Sequence, residues 1–226
     1  MSDTPGLIDP DDAAVLLVDH QSGLLQVVAD QHFKQVRANT VALARLAALT
    51  DLPVITTASV PDGPNGPLIP EIHQQPKAQY VPRSGEVNAW DVEAFRNAVA
   101  ATGRRTLIIA GVITSVCLAE PAISAMADGY RVFGVVDASG TYSKLSQELA
   151  VARMIQAGVV PVDTVATISE VQRTWNRPEA AEFASIHASV MTNYELLIES
   201  HQRAQVEVTG GEGADAERKL AARGSS

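Results

Sequence analysis

The chain has 226 residues and a mass of 23.9 kDa, which suits one α/β domain that buries roughly 70% of its unfolded surface. Its formal net charge of −9 and its aromatic content of 4% argue against a nucleic-acid partner, which needs clustered Lys and Arg and stacking rings. A single cysteine excludes an internal disulfide, and no apolar run approaches the roughly 20 residues of a membrane span.

The amino-terminal residues, MSDTPGLIDPDD, carry neither a basic segment nor an apolar signal core, so we expect a cytoplasmic protein. After them, apolar runs of strand length alternate with segments of helical periodicity. This alternation is typical of repeated βαβ units and predicts a mostly parallel sheet covered on both faces. The predicted strands are Ala13 to Val18, Val54 to Ala58, Thr106 to Ala110, Val132 to Asp137 and Val160 to Thr164, with a short extra strand at Gln79 to Val81.

The predicted helices that join these strands start near Phe33, Ala89, Cys117 and Lys144. Three glycines, Gly103, Gly129 and Gly158, stand where left-handed helix ends are expected. Between the second and third long strands, the segment from Ser59 to Trp90 is rich in Pro and Gly. A long loop of this kind predicts a pocket wall, although it could be a surface excursion that merely crosses the fold.

After the last strand, one or two helices carry a loose apolar stripe, made of Ala184, His187, Ala188, Met191, Leu196 and Leu197. Such a stripe predicts packing on the same domain or on a neighbouring subunit. From Val206 onward the chain is rich in glycine and charge and predicts a disordered tail. We therefore expect one domain over residues 1–205 and a tail over residues 206–226.

Cys117, the only cysteine, follows a predicted strand that turns through Gly111 into a helix. Free N–H groups and the dipole at a helix amino terminus favour the thiolate, so this position predicts a reactive sulfur. A buried cysteine that only fills the core is the alternative. Asp19 ends another strand, and the carboxyl ends of parallel strands share one edge of a sheet. Asp19 and Cys117 are therefore expected to share a crevice.

The segments DDAAVLLVDHQSGLL, GPNGPLIPE and NAWD and the run LIIAGVITSVCLAEPAISAMADGYRVFGVVDASGTYS together resemble the isochorismatase-like cysteine hydrolases, in particular their YcaC-like branch. The resemblance covers about Pro10 to Tyr194. A strand-ending Asp with a Gln two positions later, combined with AGVxTxVC at the start of a helix, is specific, whereas either motif alone is weak. The resemblance implies a doubly wound, three-layer αβα sandwich with a six-stranded parallel sheet.

The resemblance also implies a catalytic triad of Asp, Lys and Cys, with Asp19 as general base and Cys117 as nucleophile. The lysine position of the family falls on Arg83, a departure from the common pattern, and Lys77 is a weaker candidate for the cation. Because arginine does not deprotonate in proteins, Arg83 is expected to act by charge: it would lower the pKa of Cys117 and hold Asp19 in place. An exposed arginine on a mobile loop is the alternative.

In the family, a cis peptide bond precedes the nucleophile, and here it maps to Val112–Ile113. It would turn the N–H of Ile113 toward the N–H of Cys117, so that the two form an oxyanion hole. An ordinary trans turn bent at Gly111 is the alternative.

Four further residues are candidates for substrate binding: Gln21, Asn88, Trp90 and Thr114. Gln21 is placed to orient a substrate amide, to brace Asp19 or to hydrogen bond at a helix entry. Asn88 and Trp90 are as well suited to capping a helix and packing as to lining a pocket. Thr114 precedes the first helical turn after the strand, so it is expected to touch the site or to cap the helix.

Metal-dependent relatives, similar to nicotinamidases, bind an ion through an Asp and histidines after the second strand. The corresponding stretch here, TTASVPDGPNG, contains only Asp62, and the next histidine is His73. The five histidines of the chain are also scattered rather than paired at ligand spacing. The sequence therefore predicts no metal and no cofactor.

The predicted activity is cysteine-dependent hydrolysis of a carbon–nitrogen bond in a small amide, through a thioester, by a homo-oligomer such as a tetramer or octamer. The family's vinyl-ether hydrolases do not rely on this cysteine, so its presence favours amide chemistry. Thiol redox chemistry is disfavoured because no resolving cysteine is present. A catalytically weak or non-catalytic oligomeric binding protein that retains the fold is the alternative, and Arg83 is the feature that favours it. The identity of the substrate does not follow from the sequence.

Overall fold

The computed structural model describes residues 6–73 and 78–208. Its strands are β1 (Ala13–Val18), β2 (Val54–Ala58), β3 (Ala78–Pro82), β4 (Thr106–Gly111), β5 (Arg131–Val135) and β6 (Val160–Val162). All neighbouring strands are parallel, in the order β3-β2-β1-β4-β5-β6. The predicted six-stranded parallel sheet is therefore confirmed, and the short extra strand is β3, at one edge.

The helices are α1 (Phe33–Thr50), α2 (Pro70–His73), α3 (Glu93–Ala101), α4 (Ala119–Ala127), α5 (Lys144–Gln156), α6 (Thr164–Gln172), α7 (Ala180–Val190) and α8 (Tyr194–Val208). One face of the sheet packs on α1, α6 and α7, and the other packs on α3, α4 and α5. Every position of β1 is buried: Leu17 points to the first face and Leu16 to the second. A strand that is apolar throughout needs both layers, so the three-layer sandwich is confirmed.

Two strands end earlier than predicted. β5 stops at Val135, and a 3-10 turn over Val136–Ala138 follows. β6 stops at Val162 because Asp163 caps α6, accepting a hydrogen bond from the N–H of Ala166 at 2.7 Å. A 3-10 turn therefore replaces the end of the predicted fifth strand, and a capped helix start replaces the end of the sixth. The three predicted helix ends do have left-handed glycines, with φ of 69° at Gly103, 82° at Gly129 and 90° at Gly158.

The carboxy-terminal helices divide into one that packs on the domain and one that does not. Phe183 and Ile186 of α7 are buried in the core beside α1. In contrast, α8 has no buried residue, and its Leu196 and Leu197 are 60% and 62% exposed. The first three residues of the predicted tail, 206–208, continue α8, and residues 209–226 lie outside the described part. Within that described part, no helix combines the length and apolar character that crossing a membrane requires.

The strand order reverses between β1 and β4 at the centre of the sheet. Val18, the last residue of β1, pairs with Thr57 of β2 on one side and with Gly111 of β4 on the other. The carboxyl ends of these three strands are therefore level with one another. In doubly wound sheets, ligands bind in the crevice at this switch point, so the residues that follow β1, β2 and β4 form the candidate site.

Candidate active site

Asp19 directly follows β1 and is completely buried. Its φ of 57° lies in the left-handed region, which Asp tolerates better than most residues, and its N–H donates to the Thr57 carbonyl at 3.0 Å. This backbone geometry fixes where the carboxylate lies. Residues held in sparsely populated conformations cluster at functional sites, so the conformation of Asp19 marks this position as a candidate.

Arg83 follows β3, and its guanidinium forms an ion pair with the Asp19 carboxylate through Nη2 and Oδ1. Nη1 donates to two backbone carbonyls, at 2.9 Å to Glu86 and at 3.0 Å to Val87. The Arg83 side chain is 0% exposed, so the alternative of an exposed arginine is wrong. Lys77, the rival cation, lies outside the described residues.

Ser59, the first residue after β2, is a site residue that the sequence analysis missed. Its N–H donates to Asp19 Oδ1 at 2.8 Å and to Gln21 Oε1 at 3.1 Å. Gln21 Nε2 in turn donates to the Ser59 carbonyl at 3.0 Å and to the Gly66 carbonyl. Both N–H groups of the buried Gln21 amide and one acceptor site of its oxygen are bonded within the protein, which supports a bracing role beside Asp19 over a contact with substrate.

The nucleophile turn runs from the end of β4 through a π-helical turn over Thr114–Leu118. The Val112–Ile113 peptide bond that precedes it is cis. Ser139, after β5, holds the turn from below: its Oγ accepts from the Gly111 N–H at 3.0 Å and donates to the Val135 carbonyl at 2.8 Å. The position of Ser139 after a neighbouring strand is the signal that could have identified it.

Cys117 lies inside this π-helical turn, is 7% exposed, and interacts with the Asp19 carboxylate. Burial raises the pKa of the Cys117 thiol well above 9, and the negative charge of Asp19 and its hydrogen bond with the thiol raise it further. Arg83 opposes this shift only weakly. This direction is opposite to the lowered pKa that the sequence predicts, and it leaves the thiol beside a carboxylate that can accept its proton.

The two predicted oxyanion donors, the N–H groups of Ile113 and Cys117, differ in their hydrogen bonds. Cys117 N–H donates to the Ile113 carbonyl at 2.7 Å, so the second predicted oxyanion donor is already engaged. Ile113 N–H, in contrast, hydrogen bonds to the Cys117 thiol, which lowers the pKa of that thiol against the larger effects of burial and Asp19. Thr114 is completely buried and its Oγ1 is unpaired among those residues, while its N–H donates to the Gly140 carbonyl at 2.9 Å. Of these groups, Thr114 Oγ1 is the one left unpaired among the described residues, whereas Ile113 N–H faces the sulfur.

Asn88 and Trp90 are not directed toward the crevice. Asn88 caps the short helical turn Ala89–Asp91, and its side chain also donates to Ser124 Oγ at 3.1 Å. Trp90 is buried, and its indole N–H donates to Asp128 Oδ2 at 2.7 Å. Their polar groups are already bonded, so these contacts do not support the substrate-binding prediction.

The segment from Ser59 to Trp90 is more regular than the sequence indicates, because it contains α2 and β3. It contributes to the site through its two ends, with Ser59 at one and Arg83 near the other. No cluster of three or more His, Cys, Asp or Glu side chains suited to a metal ion occurs among the described residues.

Comparison with known proteins identifies related chains. The model of the isochorismatase domain matches residues 13–166. The probable hydrolase YcaC of Escherichia coli is 44% identical over 195 residues, which cover 86% of this chain and 93% of that protein.

Two solved structures are similar as well. The YcaC gene product of E. coli, described as an octameric hydrolase of unknown specificity, superposes with a TM-score of 0.85 at 44% identity, over 90% of this chain and 100% of that one. YcaC from Pseudomonas aeruginosa, solved with hexane-2,5-diol and covalent acrylamide, gives a TM-score of 0.83 at 45% identity, over 88% and 99%. The chain therefore belongs to the isochorismatase family of hydrolases, in its YcaC-like branch.

Proposed function

We propose that this hydrolase cleaves the carbon–nitrogen bond of a small amide through a thioester on Cys117. The observation that carries the proposal is the contact between the Cys117 thiol and the Asp19 carboxylate, which is itself held by Arg83. A protonated thiol beside a fixed base is activated at the moment of attack rather than beforehand. The raised pKa of Cys117 is compatible with this order of events.

In the first half of the reaction, Asp19 Oδ2 takes the thiol proton while Sγ attacks the amide carbonyl carbon. Oδ2 suits this role because it is buried and accepts no hydrogen bond from the N–H and O–H groups of the described residues. The tetrahedral intermediate then collapses: the carbon–nitrogen bond breaks, and the proton on Asp19 passes to the leaving amine. The products of this half are a thioester and a free amine.

In the second half, water attacks the thioester carbonyl and Asp19 accepts a proton from it. The carbon–sulfur bond breaks, the sulfur recovers a proton, and the carboxylic acid leaves. In both halves negative charge builds on the carbonyl oxygen, and we assign the N–H of Ile113, which hydrogen bonds to the Cys117 thiol in the free protein, as the backbone donor to it. One such donor aimed at an oxyanion lowers the barrier by roughly 3–4 kcal/mol.

A catalytically weak or non-catalytic binding protein is the second candidate. The raised pKa of Cys117 and the presence of Arg83 in the position of the family's lysine favour it. Arg83 does not carry protons, so all proton transfer falls on Asp19. The two candidates differ in whether an acyl group ever forms on the sulfur.

The test is a panel of small amides and acyl hydrazides, with mass spectrometry of the intact chain after rapid quenching. We expect at least one compound to leave its acyl group on Cys117 and to release its amine in the same time. Acrylamide is the companion reagent, because the P. aeruginosa relative was solved with covalent acrylamide. Addition of acrylamide at Cys117 without turnover of any amide would favour the non-catalytic candidate. Absence of both acrylamide addition and amide turnover would contradict the whole proposal.

We further propose that the chain is a homo-oligomer, a tetramer or an octamer. The E. coli relative of 44% identity is octameric, and α8 here has no residue buried in its own domain. An isolated helix of this length is marginal in water, so contact with another subunit would stabilise it. Native mass spectrometry should give a single assembly of four or eight chains, and a monomer at micromolar concentration would contradict the proposal.

Two substitutions of Arg83 test the effect of its positive charge separately from that of its hydrogen bonds. Arg83→Lys keeps a cation for Asp19 but loses the paired carbonyl contacts to Glu86 and Val87, so we expect turnover within about tenfold of the original and a loss of about 1–2 kcal/mol in unfolding free energy. Arg83→Met leaves the buried carboxylate unpaired, which costs about 3–5 kcal/mol and roughly a hundredfold in rate. Chemical denaturation and steady-state kinetics measure both effects.

The matched control is Arg37→Lys. Arg37 pairs with Glu71 at 2.7 Å, but both side chains are about two-fifths exposed, at 44% and 39%. Exposed pairs contribute about 0–1 kcal/mol, so this variant should change neither stability nor rate measurably. Equal losses of stability and of rate in Arg37→Lys and Arg83→Lys would mean that the burial of Arg83 does not matter for function.

A further inference from the structure

His20 follows Asp19 in the loop after β1 and takes no part in the proposed reaction. Its side chain is completely buried, although histidine is polar and ionisable. Nε2 lies 2.9 Å from the carbonyl oxygen of Ala138, the last residue of the 3-10 turn after β5. Because a carbonyl oxygen only accepts, Nε2 carries the proton and donates this hydrogen bond. The ring therefore joins the loop after β1 to the loop after β5, 118 residues further along the chain.

The His20 ring is held there as a neutral group with one unused atom. Burial lowers the pKa of His20 to about 4, because a charged imidazole would lose its hydration. At neutral pH Nδ1 is therefore an acceptor, and it has no hydrogen-bond partner within residues 6–73 and 78–208. A buried polar atom without a partner costs free energy that an apolar side chain would avoid. Packing alone thus gives no reason for a histidine at this position, whereas the hydrogen bond to Ala138 does.

The backbone beside this buried ring is tightly turned and strained. Asp19 has a φ of 57°, and its carbonyl accepts from the Gln21 N–H at 2.7 Å. His20 is the central residue of that turn, and its own carbonyl accepts from the Ile69 N–H at 3.0 Å. A left-handed conformation of a residue other than glycine persists only where the surroundings fix it. The buried imidazole supplies such a fixed point directly next to Asp19.

The two residues directly after Ala138 bond to the segment that carries Cys117. Ser139 Oγ accepts from a backbone N–H at the end of β4 at 3.0 Å. The Gly140 carbonyl accepts from the N–H of Thr114, the first residue of the π-helical turn, at 2.9 Å. The loop after β5 therefore supports the nucleophile, and the imidazole attaches the turn of the base to this same loop.

The other contacts of the Asp19 carboxylate do not fix its orientation. The Arg83 guanidinium and the Ser59 N–H both bind Oδ1. Oδ2, the oxygen proposed to take the thiol proton, accepts no hydrogen bond from the N–H and O–H groups of the described residues. Two donors on one oxygen leave the carboxylate able to turn about that oxygen. The backbone at Asp19 therefore decides where Oδ2 points.

We propose that His20 is a positioning residue, which keeps the Asp19 carboxylate beside the Cys117 sulfur by anchoring the turn after β1 to the Ala138 carbonyl. Without this anchor the strained turn relaxes, and Oδ2 moves away from the sulfur. This role of His20 rests on the proposed function for its effect on turnover. Its effect on the thiol, in contrast, is the same whichever substrate the site accepts.

The test follows the rate of Cys117 alkylation by iodoacetamide against pH in His20→Leu and His20→Gln. Leucine fills the buried position without a donor, whereas the Nε2 amide of glutamine reaches about as far from the backbone as the imidazole Nε2 does. The charge of Asp19 helps to raise the pKa of the thiol, so a carboxylate that moves away should lower the midpoint. We expect the midpoint to fall by at least about half a pH unit in His20→Leu and to stay within about 0.2 of its original value in His20→Gln.

A double variant that combines His20→Leu with Asp19→Asn shows whether the effect acts through Asp19. With the negative charge already removed, His20→Leu should move the midpoint no further. Turnover is measured with any amide of the panel that the original protein hydrolyses. His20→Leu should lower kcat at least about tenfold and leave KM within about twofold, and His20→Gln should restore most of kcat.

Thr40→Val is the matched control. Thr40 is a completely buried residue of α1 whose hydroxyl lies 3.3 Å from the same Ala138 carbonyl, but it has no link to the turn after β1 through the chain. Thr40→Val should lose stability in urea without changing the midpoint or kcat.

Three results would overturn the role of His20: a midpoint unchanged in His20→Leu, a midpoint lowered equally in His20→Gln, or a further shift in the double variant. Each would mean that the hydrogen bond to Ala138 does not hold Asp19 beside the sulfur. Failure of every amide in the panel would contradict the proposed function alone, because the alkylation midpoints still decide whether His20 positions Asp19.

Discussion

Cys117→Ala is expected to lower amide turnover at least about a thousandfold and to abolish the covalent adduct. Cys117 is the only cysteine of the chain, so no second thiol can substitute for it. The substitution removes one buried atom, and we expect a loss of only about 1 kcal/mol in unfolding free energy. Kinetics, mass spectrometry of the intact chain and urea denaturation give the three measurements.

The same variant tests the protonated thiol through the pH dependence of stability. The pKa of Cys117 is raised in the folded state, so above about pH 8.5 the thiol ionises in the unfolded chain while it stays protonated in the folded one. The original protein should therefore lose stability as the pH rises from about 8.5 through the folded pKa, and Cys117→Ala should lose less. Parallel stability curves for the two proteins would contradict the raised pKa.

Thr167→Ala is the matched control for this substitution. Thr167 is a small, completely buried residue of α6, in the layer opposite Cys117, and its hydroxyl donates only to the Asp163 carbonyl. It should lose stability by about 1 kcal/mol and keep its turnover. A comparable loss of rate in Thr167→Ala would show that small changes in stability, rather than loss of the nucleophile, explain the result for Cys117.

Much of the sheet could be predicted from the sequence because β1 is apolar at every position, β4 is apolar after Thr106, and segments of helical periodicity separate the strands. The ends of β5 and β6 were harder to predict. Both strands end near an aspartate, Asp137 or Asp163, whose side chain accepts from a backbone N–H at the start of α6. Such hydrogen bonds override the strand propensity of the neighbouring apolar residues. Residues that directly follow central strands, such as Asp19, were predictable as site candidates because the carboxyl ends of parallel strands meet at one edge of the sheet.

The protonation state of the thiol was not predictable. Sequence position suggests a helix amino terminus and hence a thiolate, but the turn at Cys117 is π-helical and its N–H is bonded to Ile113. The pKa depends on burial and on the distance to Asp19, which are properties of the folded chain alone. For the same reason the burial of Arg83 and the role of Ser59 appear only in three dimensions.

The substitution Asp19→Asn tests the two roles of Asp19, as the base that accepts a proton and as the anion that pairs with Arg83. It removes the proton acceptor, and we expect turnover to fall by about a thousandfold. It also leaves the Arg83 guanidinium buried without an anion, which should cost about 3 kcal/mol of unfolding free energy, since Asn still accepts a hydrogen bond from Nη2. Asp137→Asn is the control: Asp137 is a partly buried carboxylate bonded to Thr164, and its loss should reduce stability but not turnover.

Alkylation of Cys117 should respond to Asp19→Asn in the opposite direction to turnover. The negative charge of Asp19 helps to raise the pKa of the thiol, while Arg83 lowers it, so removing the carboxylate leaves the cation unopposed. The midpoint of the iodoacetamide rate against pH should therefore move to lower pH in Asp19→Asn, although amide hydrolysis is nearly lost. A carboxylate that does not face the thiol would lower stability and leave this midpoint where it was, whereas a shift toward acid together with lost turnover is the result expected of a group that contacts the thiol and receives its proton.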